Sequence, residues 1–276
     1  MINTLSKIVK CSQKDAIEYV TNIDREGRAV VKCSMFQQCQ ELKTEIERFT
    51  SKHGNQPLKV EVVHTHVIAH QVFAMKLLRW LEKILANSES FRNIFTKVAL
   101  TPFPPDQPIL DAILQCDSRL WKSARTHWHR LFISGMLKEY SNKKALAKVF
   151  TKHYPSVMKD FIRDDHDHSF SIASLSVQTF TVPTLSHCLI AEDEVLFRLL
   201  HTFLSECSRK FNKFKKLEFE RNVPNPTFKR AQYILYDLRY LFSAKPSESQ
   251  WTDELRVGFM RGLSLFLDLL QCMQGE

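Results

Sequence analysis

The sequence predicts a mostly α-helical protein with a short α+β unit at its start. Two observations carry this: residues 1–64 alternate helical and strand-like apolar patterns, and from residue 65 onward nearly every segment repeats apolar side chains at three- and four-residue spacing. A third is negative. Six glycines in 276 residues leave little room for a phosphate loop, a dinucleotide fingerprint or a serine elbow, and none is found.

Ser12 followed by Asp15 has the form of a capping box, and Ala16, Ile17, Val20 and Ile23 then recur at helical spacing. A helix over about residues 13–23 is expected to stop before Gly27. Arg28–Lys32 carries Ala29, Val30 and Val31, a run suited to a strand. Ser34 is placed to cap a second helix whose apolar positions Met35, Phe36, Cys39, Leu42, Ile46 and Phe49 lead to a stop at Gly54. After Pro57, Leu58, Val60 and Val62 alternate with Lys59 and Glu61, which predicts a second strand over Leu58–Val63.

Beyond this point the chain reads as helix. HVIAHQVFAMKLLRWLEKIL, DAILQCDSRLWKSARTHWHRLFISGMLKEY, NKKALAKVFTKHY, EDEVLFRLLHTFL, FKRAQYILYDLRYLF and DELRVGFMRGLSLFLDLLQCM all carry amphipathic stripes, with a proline-rich break at TPFPPDQP. No repeat of fixed length is evident. Residues 201–226 read as an irregular loop or hairpin, and residues 65–276 as one helical scaffold.

Composition narrows the function classes. With 44% hydrophobic and 25% charged residues the chain can bury a core, and a net charge of +9 permits acidic partners without requiring them. Seven scattered cysteines, none spaced CxxC, argue for a reducing compartment and against a disulfide framework or zinc ribbon. The N-terminus lacks the apolar core of a signal peptide, and every apolar window is broken by polar residues, so no membrane span is expected. A soluble cytoplasmic or nuclear protein is expected.

Several constellations have a chemical and a plain reading. In HTHVIAH, His66 and His70 share a helix face at the spacing of a zinc pair, yet no Glu or fourth ligand accompanies them, and the reading we favour has His64 ending a strand while His66 and His70 cap and line a helix. The run RDDHDHS gathers Asp164, Asp165, His166, Asp167 and His168, which suits a metal or an acid/base pair; helix capping ahead of Phe170 is the reading we favour. SRKFNKFKKLEFERN interleaves aromatics with bases as a nucleic-acid surface does, but a half-buried hairpin has the same alternation. GFMRG has the small-xxx-small spacing of closely packed helices.

LSKIVKCSQKDAIEYVTNIDREGRAVV, FQQCQELKTEIERF and QPLKVEVVHTHVIAHQ resemble the ClpS-like domain of the UBR-box E3 ubiquitin ligases, the eukaryotic N-recognins. The resemblance extends through LWKSARTHWHRLF, IRDDHDHSFSIASLSVQTFTVPTL, LYDLRYLFSAKP and LDLLQCMQG, essentially the whole chain. It implies a fragment: residues 1–64 as a truncated ClpS-like N-degron-binding domain, residues 65–276 as the scaffold, and no catalytic residue in this segment. It further implies that the zinc-bearing UBR box precedes this region and that the RING, with its zinc and its ubiquitin-conjugating enzyme, lies beyond it. The partners implied are proteins with bulky hydrophobic N-terminal residues, with no membrane partner, and with nucleic acid disfavoured. Carried over from the bacterial domain, the resemblance puts Met1, Val20, Ile23 and Leu58 in the side-chain pocket and Asp24 where a histidine helps hold the substrate's α-amino group. It also places the domain's first strand ahead of Met1, so weak binding or none by this chain alone is expected. The alternative is a standalone basic helical adaptor for protein or RNA.

Overall fold

The computed structural model describes residues 2–51, 58–103, 106–163, 172–207, 211–218 and 226–273. The described residues are mostly α-helical and fall into two compact units: Met1–Leu81 with Trp121–His127, and Glu82–Leu120 with Trp128–Glu276.

In the first unit, helices α1 (Ile2–Val9), α2 (Gln13–Glu26) and α3 (Phe36–Thr50) bury Leu5, Val9, Ala16 and Ile46 in one small apolar cluster. Helix α4 begins at Thr65 and runs to Asn87. The capping box forms as its residues dictate: Ser12 Oγ accepts from the Asp15 N–H at 3.1 Å, and the Asp15 carboxylate accepts from the Ser12 N–H at 3.3 Å. At the other end Gly27 takes the left-handed conformation, φ 87°, and donates its N–H to the Ile23 carbonyl at 2.9 Å.

Three expectations need correction here. Neither Arg28–Lys32 nor Leu58–Val63 enters a β-ladder; both lack regular secondary structure. Their apolar residues are nevertheless used, since Val31, Leu58 and Val60 pack against the α1–α2–α3 cluster. Period-two burial against helices satisfies the same side-chain pattern as a sheet, which is why the pattern alone misleads. Ser34 is not the cap of α3: the N-cap is Met35, without a side-chain cap bond, because Ser34 Oγ bonds the Gln38 side chain instead. Gly54 and Pro57 lie outside the described residues.

The second unit contains α5 (Glu89–Leu100), a two-stranded antiparallel hairpin of β1 (Pro102–Phe103) and β2 (Gln107–Pro108), and α6 (Ile109–Gln115). Within the proline-rich break Pro102 thus pairs with Pro108 and Phe103 with Gln107. Then follow α7 (Lys122–Gly135), whose first residues belong to the first unit, α8 (Tyr140–Arg163), α9 (Ile172–Phe180), α10 (Pro183–Glu192) and α11 (Val195–Cys207). The last helices are α12 (Pro226–Ser243) and α13 (Asp253–Met273).

An aromatic chain forms the centre of this core. Trp128, Phe132, Phe150, Tyr154 and Phe180 meet edge to face at centroid distances of 5.8–6.2 Å, the geometry the ring quadrupoles favour. The two glycines of GFMRG pack as small residues between helices: a Cβ on Gly262 would stand 2.7 Å from the Leu196 Cβ, and one on Gly258 would meet the Ile190 carbonyl. Buried carboxylates are paired. Asp117 bonds His129 Nε2 at 2.7 Å, and Asp111 bonds both Lys152 and His153 at 2.7 Å.

Candidate functional site

Helix α2 positions the residues of the predicted pocket. Ala16, Val20 and Asp24 follow one another at i+4 on one face, the first buried, the second half-buried and the third exposed. Val20 and Leu58, distant in sequence, both pack on the Leu5–Val9–Ala16–Ile46 cluster. Ile23 is half-buried and is not among the residues packed on that cluster. Met1 lies outside the described residues.

Asp24 sits in the last turn of α2, where unpaired carbonyls give the helix end a partial negative charge. Its own carbonyl accepts a 2.9 Å hydrogen bond from Lys122 Nζ, so a primary ammonium already rests at this helix end. Two residues on, a hydrogen bond from Ser123, aided by Arg25 and Arg79, holds the Glu26 carboxyl below the usual carboxylate range. The turn is pinned further by Arg28, whose guanidinium lies 3.4 Å from the Trp121 ring centroid and whose Nη1 donates to Gln71 at 2.6 Å. Sequence reading did not find this clamp, since nothing local marks Trp121 as the partner of Arg28.

It also did not find a groove of about 670 Å³ between α1 and α3. Ile8, Val9 and Leu42 supply its apolar lining, and Lys10, Lys32, Glu41, Glu45 and Arg48 its charges. None of Val20, Ile23, Asp24 or Leu58 lines it.

The other singled-out residues take ordinary places. His64 and His66 rings meet edge to face at 4.7 Å, His64 Nδ1 accepts the His66 N–H at 3.2 Å, and His70 Nδ1 lies 2.7 Å from the His66 carbonyl. These are bonds of a helix start. Among the described residues no cluster of three or more metal-ligating side chains occurs. Asp164, Asp165, His166, Asp167 and His168 lie outside the described residues. Of the basic–aromatic run, Phe211 and Leu217 form an isolated antiparallel bridge, and the Leu217 N–H donates to the Cys272 carbonyl at 3.0 Å. Among the described residues, no helix is long and apolar enough to cross a membrane.

Residues 38–276 match the family model described as the UBR1/2/3-like ARM repeat domain. The chain belongs to that family. Residues 1–61 of this UBR1/2/3-like chain also match the model of the ATP-dependent Clp protease adaptor protein ClpS, so both parts of the resemblance read from the sequence are found. Over its full length the chain is 47% identical to E3 ubiquitin-protein ligase UBR1 of Drosophila melanogaster and 40% identical to E3 ubiquitin-protein ligase UBR2 of Homo sapiens. It is 36% identical to human E3 ubiquitin-protein ligase UBR1. The chain spans only 15–16% of the length of these relatives. No solved structure gives a significant match. Within the UBR1/2/3-like chain, the ClpS match takes in all five predicted pocket residues, Met1, Val20, Ile23, Asp24 and Leu58.

Proposed function

We propose that this chain is the substrate-recognition and scaffold segment of an E3 ubiquitin ligase of the N-degron pathway. It selects proteins with bulky hydrophobic N-terminal residues for ubiquitination and proteasomal degradation in the cytoplasm or nucleus. The observation that carries the reading is the whole-chain likeness to E3 ligases of fly and human. On this reading residues 1–64 are part of a ClpS-like unit, with segments 28–32 and 58–63 in the place of its strands, and residues 65–276 are the scaffold.

The recognition chemistry has two halves. The Asp24 carboxylate meets the substrate's α-ammonium by charge-assisted hydrogen bonding at the negative end of α2, a contact Lys122 Nζ already rehearses at the Asp24 carbonyl. Met1, Val20, Ile23 and Leu58 take up a Phe, Leu, Trp or Tyr side chain, whose full burial is worth about 1.5–3 kcal/mol. Transfer of ubiquitin is assigned to no residue of this chain; zinc, the RING and the ubiquitin-conjugating enzyme belong to other parts of the full-length ligase.

Chemical-shift perturbation by a Phe-initiated peptide tests the site even where binding is weak. Shifts confined to the free-amine peptide and lost in Asp24→Asn support it. Binding that instead weakens steeply with salt and prefers RNA supports the basic-adaptor reading.

A further inference from the structure

Helix α13 has two apolar faces, and among the described residues only one of them is packed. On the inner side Leu255 and Leu269 are buried, and Gly258 and Gly262 bring the backbone against Ile190 of α10 and Leu196 of α11. That side has no freedom to turn outward, because a Cβ at Gly262 already falls 2.7 Å from the Leu196 Cβ. The far end is tied as well: the Cys272 carbonyl accepts from the Leu217 N–H, and the Gln271 carbonyl from Lys216 Nζ.

The outer side carries Val257, Met260, Leu263, Leu267, Leu270 and Met273, each 40–66% exposed. At about 100° per residue, Met260, Leu263, Leu267 and Leu270 fall within about 80° of one another, one stripe along the 21-residue helix, with Val257 and Met273 on its two flanks. Little charge interrupts the stripe. Arg261 is drawn off toward α11, where it bonds Glu194 and lies over Phe197, and Arg256 bonds Asp253 within the helix's first turn.

A helix apolar on both sides belongs to the interior of an assembly. In an array of helical repeats each unit buries its neighbour's face, and a repeat that ends the array presents a polar outer surface instead. The outer surface of α13 is not of that kind. The residues that match the ARM repeat model include α13, and the relatives carry more than five-sixths of their length outside the aligned region, ample for further repeats.

We infer that the outer face of α13 is the seat of the next helical repeat of the ARM array, an amphipathic helix that lays its own apolar stripe along Met260, Leu263, Leu267 and Leu270. Helix α13 is thereby an internal helix of the full-length ligase. The pairing follows ridge-into-groove packing of long side chains, and its specificity lies in the register of the leucines.

The test uses the complete 276-residue chain and, as a separate labelled polypeptide, the stretch of about 45 residues that follows the aligned region in the Drosophila relative. Fluorescence anisotropy reads binding, and light scattering reads mass. Saturable binding to a monomeric chain, weakened about tenfold or more by Leu263→Glu combined with Leu267→Glu, is the expected result. The double variant is expected to melt within about 2 °C of the parent, because both side chains face solvent. Should it unfold, Met260→Lys serves as the second variant. Absence of saturable binding, or binding indifferent to both variants, overturns the inference. A doubled mass that the variants return to that of one chain also overturns it, in favour of a second copy on this face.

Discussion

Tyr154 of α8 donates its hydroxyl proton to the Asp237 carboxylate of α12 at 2.8 Å, and both side chains are buried. Burial pushes Asp237 up to about 7, against the opposing effect of the hydrogen bonds from Tyr154 and Ser176. The folded chain therefore keeps a proton on Asp237 at pH values where the unfolded chain has released it.

A pH dependence with a fixed sign follows from that pair. Between about pH 4 and pH 7 the native state holds more protons than the unfolded state, so this group's contribution falls as pH rises, by up to about 1.4 kcal/mol per unit. It is most favourable below about pH 4 and flat above about pH 7. Asp237→Asn keeps an acceptor for Tyr154 and cannot ionise, so it should flatten this component. Urea denaturation of both chains from pH 5 to 8 checks the point: the variant should gain on the parent as pH rises to about 7 and little beyond it, and a constant difference would disprove the linkage.

Gly262→Ala should destabilise the second unit, since the new methyl would stand 2.7 Å from the Leu196 Cβ where nothing flexible can yield. Overpacking of this kind costs about 1–3 kcal/mol. A melting temperature lowered by several degrees is the expected readout, and an unchanged one would show that α11 and α13 separate at no cost.

Asp117→Ala should be the more damaging change. It removes the 2.7 Å partner of His129, a side chain with no exposure, and leaving a buried donor without its acceptor costs about 1–3 kcal/mol, to which the cavity left by the carboxylate adds. Asp117→Asn, which still offers an oxygen to His129 Nε2–H, should lose clearly less in the same denaturation experiment.

The stops and starts of helices were legible where the chemistry is local. Ser12, Asp15 and Gly27 act within one helix and need no partner elsewhere, so α2 follows from the sequence almost residue by residue. Helix α1 was not read. It is eight residues long, too short to stand on propensity, and is held by Leu5 and Val9 in the apolar cluster. The apolar patterns of Arg28–Lys32 and Leu58–Val63 read as strands because such a pattern reports which side chains are buried and not what buries them. Long-range pairings such as Arg28 with Trp121 and Tyr154 with Asp237 leave no local trace. The proposed pocket residues came from family resemblance. Periodicity by itself offered Val20 and Ile23 only as an inward face of α2 and Asp24 only as part of its last turn.

The most direct measurement is a titration of the chain with a Phe-initiated peptide, repeated with its N-acetylated form and with Asp24→Asn. Weak binding that needs the free amine, and that Asp24→Asn reduces about tenfold or more, is the result expected of a charge-assisted contact to the α-ammonium. Binding of equal strength to the acetylated peptide, or unchanged in Asp24→Asn, would contradict the role assigned to this carboxylate.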